Sequence, residues 1–207
     1  MRTTQNGQQT ADAIRREAAE LFATKGYDAT TLRDVAARVG IKVGSLYNHI
    51  ASKEELLLSV MGHTMDDLAG QMERALAGHT ESVDRLIAFL ECHIRFHAEN
   101  AQQVFIGNTE LRSLHDDFRR SITEKRRAYR KQLEELIEQV GIDDKGEVLN
   151  SRLHAFSIVA VGTHVSGWYR PDGVFSLDEI IETYTKIILR SLQIENADHL
   201  VESALAV

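Results

Sequence analysis

The residues between Thr30 and Lys53 include several side chains that can donate hydrogen bonds or positive charge to a polyanion. The hydroxyls of Thr30 and Thr31 precede a short segment with helical periodicity, and the N-terminus of a helix also offers free N–H groups to phosphate. Lys42 and Ser45 open a second such segment, from which a helix in a DNA groove would present them to base edges. These residue types therefore indicate recognition of phosphates and bases.

The spacing of apolar residues predicts three short helices that position these side chains, over 10–25, 31–38 and 42–49. Gly40 supplies the backbone conformation that a tight turn needs, and Ala36, four residues earlier, lets the second and third helices pack closely. The arrangement predicts a helix-turn-helix whose recognition helix, 42–49, enters the major groove. The residues that open this helix and face the bases are Lys42, Val43, Gly44 and Ser45.

The segment from Thr30 to Leu56 resembles the DNA-binding domain of the tetracycline-repressor (TetR) family. The resemblance rests on Ser45-Leu46-Tyr47, on the histidine two residues later and on Ser52-Lys53-Glu54, and upstream Leu21 to Tyr27 also fits. It implies that Tyr47 and His49 contact phosphate and that Lys53 clamps the DNA at the start of the next helix. Asn48 either contacts DNA or only faces solvent, and the alternative for Tyr47 is packing against the first helix.

Composition and charge limit the class of protein. The 207 residues include one proline and one cysteine, which argues for an all-α fold and against a disulfide framework or a cysteine-rich zinc module. No long apolar run and no apolar leader are present, so we expect a cytoplasmic protein of a reducing compartment with no membrane partner. Residues 1–60 carry a net charge of +1 and residues 61–207 one of −8, and within 31–53 four Lys or Arg residues stand against Asp34 alone. Such a basic segment on an acidic body can bind a polyanion, and the alternative is that so small a surplus arises by chance.

Two domains are expected, a helix-turn-helix DNA-binding domain over 1–52 and a helical ligand-binding and dimerisation domain over 53–207. Residues 1–9 are polar and aperiodic and are predicted to form a mobile arm, and the last dozen residues are predicted to fray. Longer helices are predicted over 53–77, 81–99, 101–115, 117–140, 147–170 and 176–193. Capping boxes are predicted to start at Thr31, Ser52 and Ser176.

The TetR resemblance implies a homodimer whose last two long helices form a four-helix bundle with the partner. Helices 147–170 and 176–193 would take that part. The apolar set of the second helix is broader than the single stripe of a monomer's surface helix. The alternative is that this helix is fully buried within one subunit.

Two stretches resemble a subset of the family that senses acyl-CoA thioesters. One is Trp168-Tyr169-Arg170-Pro171, and the other runs from His93-Ile94-Arg95-Phe96-His97 to Phe105 and Asn108. The resemblance implies that Arg170 pairs with a CoA phosphate and that Trp168 stacks on adenine. The alternatives are that Trp168 and Tyr169 only pack the helix end, that the effector is another hydrophobic molecule, or that there is no effector.

His93 and His97 are four residues apart, as metal ligands on a helix can be, but the spacing fixes no third ligand. We therefore expect no metal and no cofactor, and we interpret both histidines as lining a cavity or an interface. The basic run Lys125 to Lys131 is either a solvated helix face or an anion-attracting rim. No glycine-rich phosphate loop, nucleophile elbow or zinc-protease motif is found, so no catalytic residue is predicted and an enzyme is not expected.

Overall fold

Helices are the only regular secondary structure in the computed structural model, which describes residues 2–143 and 146–205. The α-helices α1 to α10 are Arg2–Lys25, Leu32–Val39, Val43–Leu46, Lys53–Leu76, Ser82–Glu99, Ala101–Thr109, Asp116–Asp143, Ser151–Trp168, Leu177–Ser191 and Ala197–Leu205. A 3₁₀ turn, Leu111–Ser113, lies between α6 and α7. The predicted all-α class is confirmed. Within the described ranges, every helix is too short or too polar to cross a bilayer.

The two chain ends are more helical than the sequence predicts. Helix α1 begins at Arg2, so residues 2–9 are helical where their polarity predicted an arm without regular structure; residue 1 lies outside the described residues. A helix that Ile14 and Ala18 already anchor in the core extends by one hydrogen bond per added residue, which makes the extension inexpensive. At the other end, α10 buries Ala197 and Val201 where fraying was expected.

Three internal boundaries also differ from the predictions. The helix expected over 101–115 divides into α6 and the 3₁₀ turn, because the backbone leaves the helical region at Glu110. Helix α8 begins at Ser151, where the Asn150 side chain accepts the Leu153 N–H at 2.9 Å. The recognition helix is regular only over Val43–Leu46, and turn-type hydrogen bonds continue it to Ile50.

The predicted capping boxes explain where three helices begin. Thr31 with Asp34 and Ser176 with Glu179 form reciprocal boxes at α2 and α9. At α4 the Ser52 hydroxyl accepts the Glu55 N–H at 3.0 Å, while the Glu55 carboxylate accepts the N–H of Ala51 instead of that of Ser52. Each box satisfies N–H groups that a helix start leaves free.

The described residues form two compact units. The first consists of residues 2–66 and 102–124, around a core that includes Phe22, Val35, Leu46 and Leu57. The second consists of residues 67–101 and 125–205, and in it α5 packs against α8 and α9. The first unit thus contains more of the chain than the DNA-binding domain proposed from the sequence over 1–52, whose division from 53–207 remains a proposal about function.

Candidate DNA-binding and effector-binding sites

The turn between α2 and α3 is built as a helix-turn-helix requires. Gly40 has a φ of 76°, a left-handed conformation that favours glycine, and the Ile41 N–H donates to the Ala36 carbonyl at 3.0 Å. Ala36 and Leu46 are buried, so the two short helices are fixed against one core. Ser45 and the polar residues that flank α3 therefore have a defined orientation.

One face of α3 and of the turn that follows is open to solvent. Tyr47 is 54% exposed, which argues against its packing on the first helix. Lys42, Gly44, Ser45, Asn48 and His49 are also exposed, whereas Val43 is half-buried. We call the seven residues Lys42, Val43, Gly44, Ser45, Tyr47, Asn48 and His49 the recognition face.

The two threonines before α2 differ in accessibility. Thr30 is 1% exposed, and its hydroxyl lies 2.8 Å from the Gly26 carbonyl and 3.3 Å from that of Leu21, to which it can donate. This internal bonding corrects the idea that Thr30 offers its hydroxyl to phosphate. Thr31 is exposed and its hydroxyl lies 2.9 Å from the Asp34 carboxylate, so Thr31 is the one of the pair that remains a candidate.

Lys53 is held in place by the loop after α1. Its Nζ donates to the carbonyl of Tyr27 at 3.0 Å and to that of Asp28 at 3.2 Å, and it lies 4.4 Å from the centre of the Tyr27 ring. Burial, followed by the negative charge of Glu54, raises the pKa of the Tyr27 phenol. The ammonium has a third N–H, which is the one available to a phosphate.

Ion pairs reduce the positive charge that the sequence shows in this region. Arg38 pairs with Glu17 and Glu20 of α1, and Lys25 pairs with Asp34 at 2.8 Å. The hydrogen bond from Lys25, with those from Thr31, lowers the pKa of the Asp34 carboxyl to about 2. Arg33 and Lys42 are exposed and form no ion pair among the described residues. Arg33 belongs to the basic segment 31–53 but is not among the DNA contacts predicted from the sequence.

His93 lies in the core of the second unit rather than on a cavity wall. It is 1% exposed; its Nδ1 lies 2.9 Å from the Tyr129 hydroxyl and its Nε2 lies 3.4 Å from the Val159 carbonyl. This pattern fits a neutral ring with a proton on Nε2 that accepts the Tyr129 O–H at Nδ1. Gly162 makes the close approach possible, since a Cβ there would lie 2.3 Å from the His93 ring.

His97 extends this buried cluster by one helical turn. Its Nδ1 donates to the His93 carbonyl at 2.7 Å, and the two rings are 4.1 Å apart. Burial lowers the pKa of His97 to about 4 and holds that of His93 well below its usual range. Both rings are therefore neutral at pH 7. In the described part of the chain, no three His, Cys, Asp or Glu side chains come together as metal ligands.

The other predicted effector residues are dispersed. Phe96 is buried, and Phe105 and Asn108 are exposed residues of the first unit. Trp168 is 39% exposed with its ring 6.5 Å from that of Tyr184, so it is accessible and also packed. Tyr169 packs on the core of the second unit, whereas Arg170 is exposed.

A pocket of about 470 Å³ opens between α4 and α5 in the second unit, and the effector residues predicted from the sequence do not line it. Its wall includes Arg74, Cys92 and Arg95. Burial raises the pKa of the Cys92 thiol to about 11, so the thiol is protonated and unreactive at pH 7.

The basic run of α7 is neither a fully solvated face nor a free rim. Arg126 is half-buried, and burial lowers the pKa of its guanidinium. Arg130 pairs with Glu134 at 2.9 Å and lies 4.4 Å from the centre of the Phe156 ring. Lys131 pairs with Glu135 at 3.2 Å. These contacts neutralise part of the charge that the sequence shows.

Two family models match this chain. The model described as "Bacterial regulatory proteins, tetR family" matches residues 14–60, and "Tetracyclin repressor-like, C-terminal domain" matches residues 79–192. The chain belongs to the TetR family. The matched models describe regulators of transcription, and DNA binding through the helix-turn-helix follows from this membership.

Individual TetR-family proteins match over almost the whole chain. The transcriptional repressor KstR2 of Mycolicibacterium smegmatis is 29% identical over 90% of this chain and 92% of its own length. A TetR-family regulator from Rhodococcus RHA1 superposes with a TM-score of 0.83 at 28% identity, over 90% of this chain and 98% of that one. AibR, solved with isovaleryl coenzyme A and operator DNA, gives a TM-score of 0.79 at 25% identity, over 89% and 99%.

Proposed function

We propose that this TetR-family repressor binds a palindromic operator as a homodimer and is released from it by an acyl-CoA thioester. The observation that carries the DNA-binding part is the recognition face, exposed on a helix-turn-helix whose turn and core are fixed. Lys42 and Ser45 are proposed to read base edges, as residues at the start of a recognition helix do. Thr31, Tyr47, His49 and Lys53 are proposed to contact phosphates, and Asn48 to contribute at the same surface.

An apolar surface on α8 supports the dimer. Leu153, Phe156, Val161 and Trp168 are large apolar side chains on this helix that remain exposed in the single chain. On α9 most of the apolar set is buried within the chain, including Ile180, Ile181 and Leu189, and Ile187 is the large exception at 54% exposure. We therefore expect α8 to supply more of the partner contact than α9, with the two recognition helices about 34–36 Å apart.

The effector proposal rests on AibR, which was solved with an acyl-CoA and with operator DNA, and on the exposed end of α8. Trp168 offers an accessible indole and Arg170 an exposed guanidinium, the side chains that stacking on adenine and pairing with a phosphate need. The buried histidine cluster indicates that His93 and His97 shape the domain rather than touch the effector. A hydrophobic effector without CoA is the alternative.

The test begins with genome-wide mapping of the DNA that the protein occupies, which yields the operator. Fluorescence anisotropy of that operator is then followed while isovaleryl-CoA, palmitoyl-CoA and the matching free acids are added. We expect at least one thioester to release the DNA at tenfold lower concentration than its free acid. Equal potency of the acid, or no release by any thioester, would reject the CoA proposal and favour another hydrophobic effector.

The same titration with the Arg170→Ala protein tests whether Arg170 takes part in effector binding. Loss of the guanidinium removes a charge-assisted bond to phosphate, so we expect the acyl-CoA concentration that releases the operator to rise about tenfold while the affinity for the operator stays the same. Arg152→Ala is the matched control, because it removes an equal charge from the opposite end of α8. Equal changes in the two variants would mean that Arg170 has no specific part in effector binding.

A further inference from the structure

A pocket of about 550 Å³ lies in the first unit, where α6, the 3₁₀ turn and α7 meet. It is lined by Asn108, Thr109, Leu111, Arg112 and Arg119. Four of these five residues are polar, yet the wall is mainly carbon, so the aliphatic parts of these side chains face the space. The volume is in the range of pockets that hold small molecules.

Two guanidinium groups border this apolar space. Arg119 pairs with Asp116, whereas Arg112 is exposed and forms no ion pair within residues 2–143 and 146–205. Of the nearby carboxylates, Glu110 accepts the Ser113 hydroxyl at 2.9 Å. An apolar wall beside an unpaired guanidinium matches a ligand with an anionic head and an apolar tail, because guanidinium binds carboxylate and phosphate through paired N–H donors.

The pocket is connected to the DNA-binding residues through one carboxylate. Three residues beyond Arg112, the His115 N–H donates to Glu54 Oε1 at 2.5 Å, and the His115 Nε2 lies 3.1 Å from Glu54 Oε2. The His115 carbonyl in turn accepts the N–H of Arg119 at 2.8 Å. Arg112 and Arg119 therefore lie within four residues of His115, the residue that Glu54 binds.

Glu54 is the immediate neighbour of Lys53 at the start of α4. Its side chain is 20% exposed, whereas that of His115 is 86% exposed, so the contact joins a partly buried carboxylate to a histidine on the surface. Lys53 is itself fixed on the carbonyls of Tyr27 and Asp28. A shift of the 3₁₀ turn on ligand binding would therefore displace His115 and, through it, Glu54, which is next to the proposed phosphate contact Lys53.

We propose that this pocket binds a small amphiphilic anion, with a carboxylate or phosphate head and an apolar tail, and that its occupancy changes operator affinity through His115 and Glu54. The site is separate from the acyl-CoA site proposed for the second unit. The binding half of the proposal stands on the pocket alone, whereas the coupling half rests on the proposed operator binding.

Calorimetry on the full-length chain tests the binding half with decanoate, decyl phosphate and decanol. We expect one or both anions to bind at least tenfold more tightly than the alcohol, and the two anions separate a carboxylate site from a phosphate site. Arg112→Gln should weaken the binding of the preferred anion about tenfold, and Arg112→Lys should weaken it less because the charge is kept. Arg120→Gln, on an exposed part of α7 that does not line the pocket, is the matched control.

Three results would overturn the site: no binding of either anion, decanol as tight as the anions, or equal affinities for the Arg112→Gln and Arg120→Gln proteins. Thermal unfolding of each variant establishes that it is folded. If Arg112→Gln does not fold, the comparison of Arg112→Lys with Arg120→Gln decides, and equal affinities there reject the site.

Anisotropy of operator DNA with and without the preferred anion tests the coupling half. We expect the anion to change the operator Kd at least fivefold in the wild-type protein and less than twofold in Glu54→Ala. Glu73→Ala, which removes an exposed acid from the same helix, should retain the full change. An undiminished change in Glu54→Ala rejects the coupling. Absence of any operator binding would contradict the proposed function, and calorimetry would still decide on the site.

Discussion

Tyr47 is predicted to contact DNA and His93 to line a cavity or an interface, but only Tyr47 is accessible. Its side chain is 54% exposed, whereas that of His93 is 1% exposed. In the first unit, a tight core leaves a row of polar side chains open to solvent. In the second unit, the polar aromatic residues are bonded to one another inside the core. The comparison teaches that a histidine in a helical ligand-binding domain can serve the packing of that domain, so its position in the sequence alone does not make it a ligand contact.

Gly162→Val should give the largest effect, because it breaks the packing on which the buried cluster depends. A Cβ at this position would lie 2.3 Å from the His93 ring. We expect a loss of about 3 kcal/mol in the free energy of unfolding, measured by urea denaturation. Gly167→Ala on the same helix is the control, since only His164 lies within 4 Å of its new Cβ, and it should be neutral or slightly stabilising. Equal stabilities of the two variants would show that α5 and α8 are loosely packed where His93 meets Gly162.

The free energy of unfolding should fall in mild acid because of His97. The folded state holds the pKa of His97 at about 4, below the 6.5 of the free side chain, so the unfolded state binds a proton first as the pH falls. Stability is therefore full above pH 6.5 and is lost towards pH 4. Between pH 7.5 and 5.0 we expect the wild-type protein to lose about 2 kcal/mol more than His97→Gln. Parallel losses in both proteins would mean that His97 is protonated as easily in the folded state.

Thr30→Val should give the smallest effect and should separate the two threonines before α2. The hydroxyl of Thr30 is buried and bonded to the carbonyls of Gly26 and Leu21, so its removal should cost about 1 kcal/mol of unfolding free energy. Thr123→Val, which removes an exposed hydroxyl bonded to the Arg119 carbonyl, should cost less than about 0.5 kcal/mol. Denaturation of the two variants measures the difference, and no difference would restore Thr30 as a candidate for phosphate contact.

Much of the fold could be predicted from local patterns. The reciprocal boxes at Thr31 and Ser176 and the glycine at 40 depend on neighbouring residues only, so periodicity and capping rules were sufficient. The residues of the recognition face follow from the helix-turn-helix pattern together with the resemblance to the TetR family, and their contacts with DNA stay a prediction. The burial of Thr30 could not, because it depends on the carbonyls of Leu21 and Gly26 in the preceding helix and its cap.

The effector site depends on long-range packing, and its residues were predicted less well. His93 contacts Tyr129 and Val159 because α5, α7 and α8 pack together. These two residues lie 36 and 66 positions further along the chain. The Glu54–His115 contact, across 61 positions, left no local signal either. Helix α10 was missed because its two buried residues, Ala197 and Val201, are too few to give a clear periodic pattern.

The most direct test of the account is the affinity of the operator for the Tyr47→Ala protein, measured by fluorescence anisotropy at one fixed salt concentration. Salt must be fixed because phosphate contacts make binding strongly dependent on ionic strength. If the recognition face binds the operator, loss of this exposed ring and hydroxyl should weaken binding about tenfold, which corresponds to about 1.4 kcal/mol. The affinity of the Tyr47→Phe protein, which keeps the ring, should lie between those of the wild-type and Tyr47→Ala proteins. A Tyr47→Ala protein that is folded and binds the operator with unchanged affinity would contradict the account.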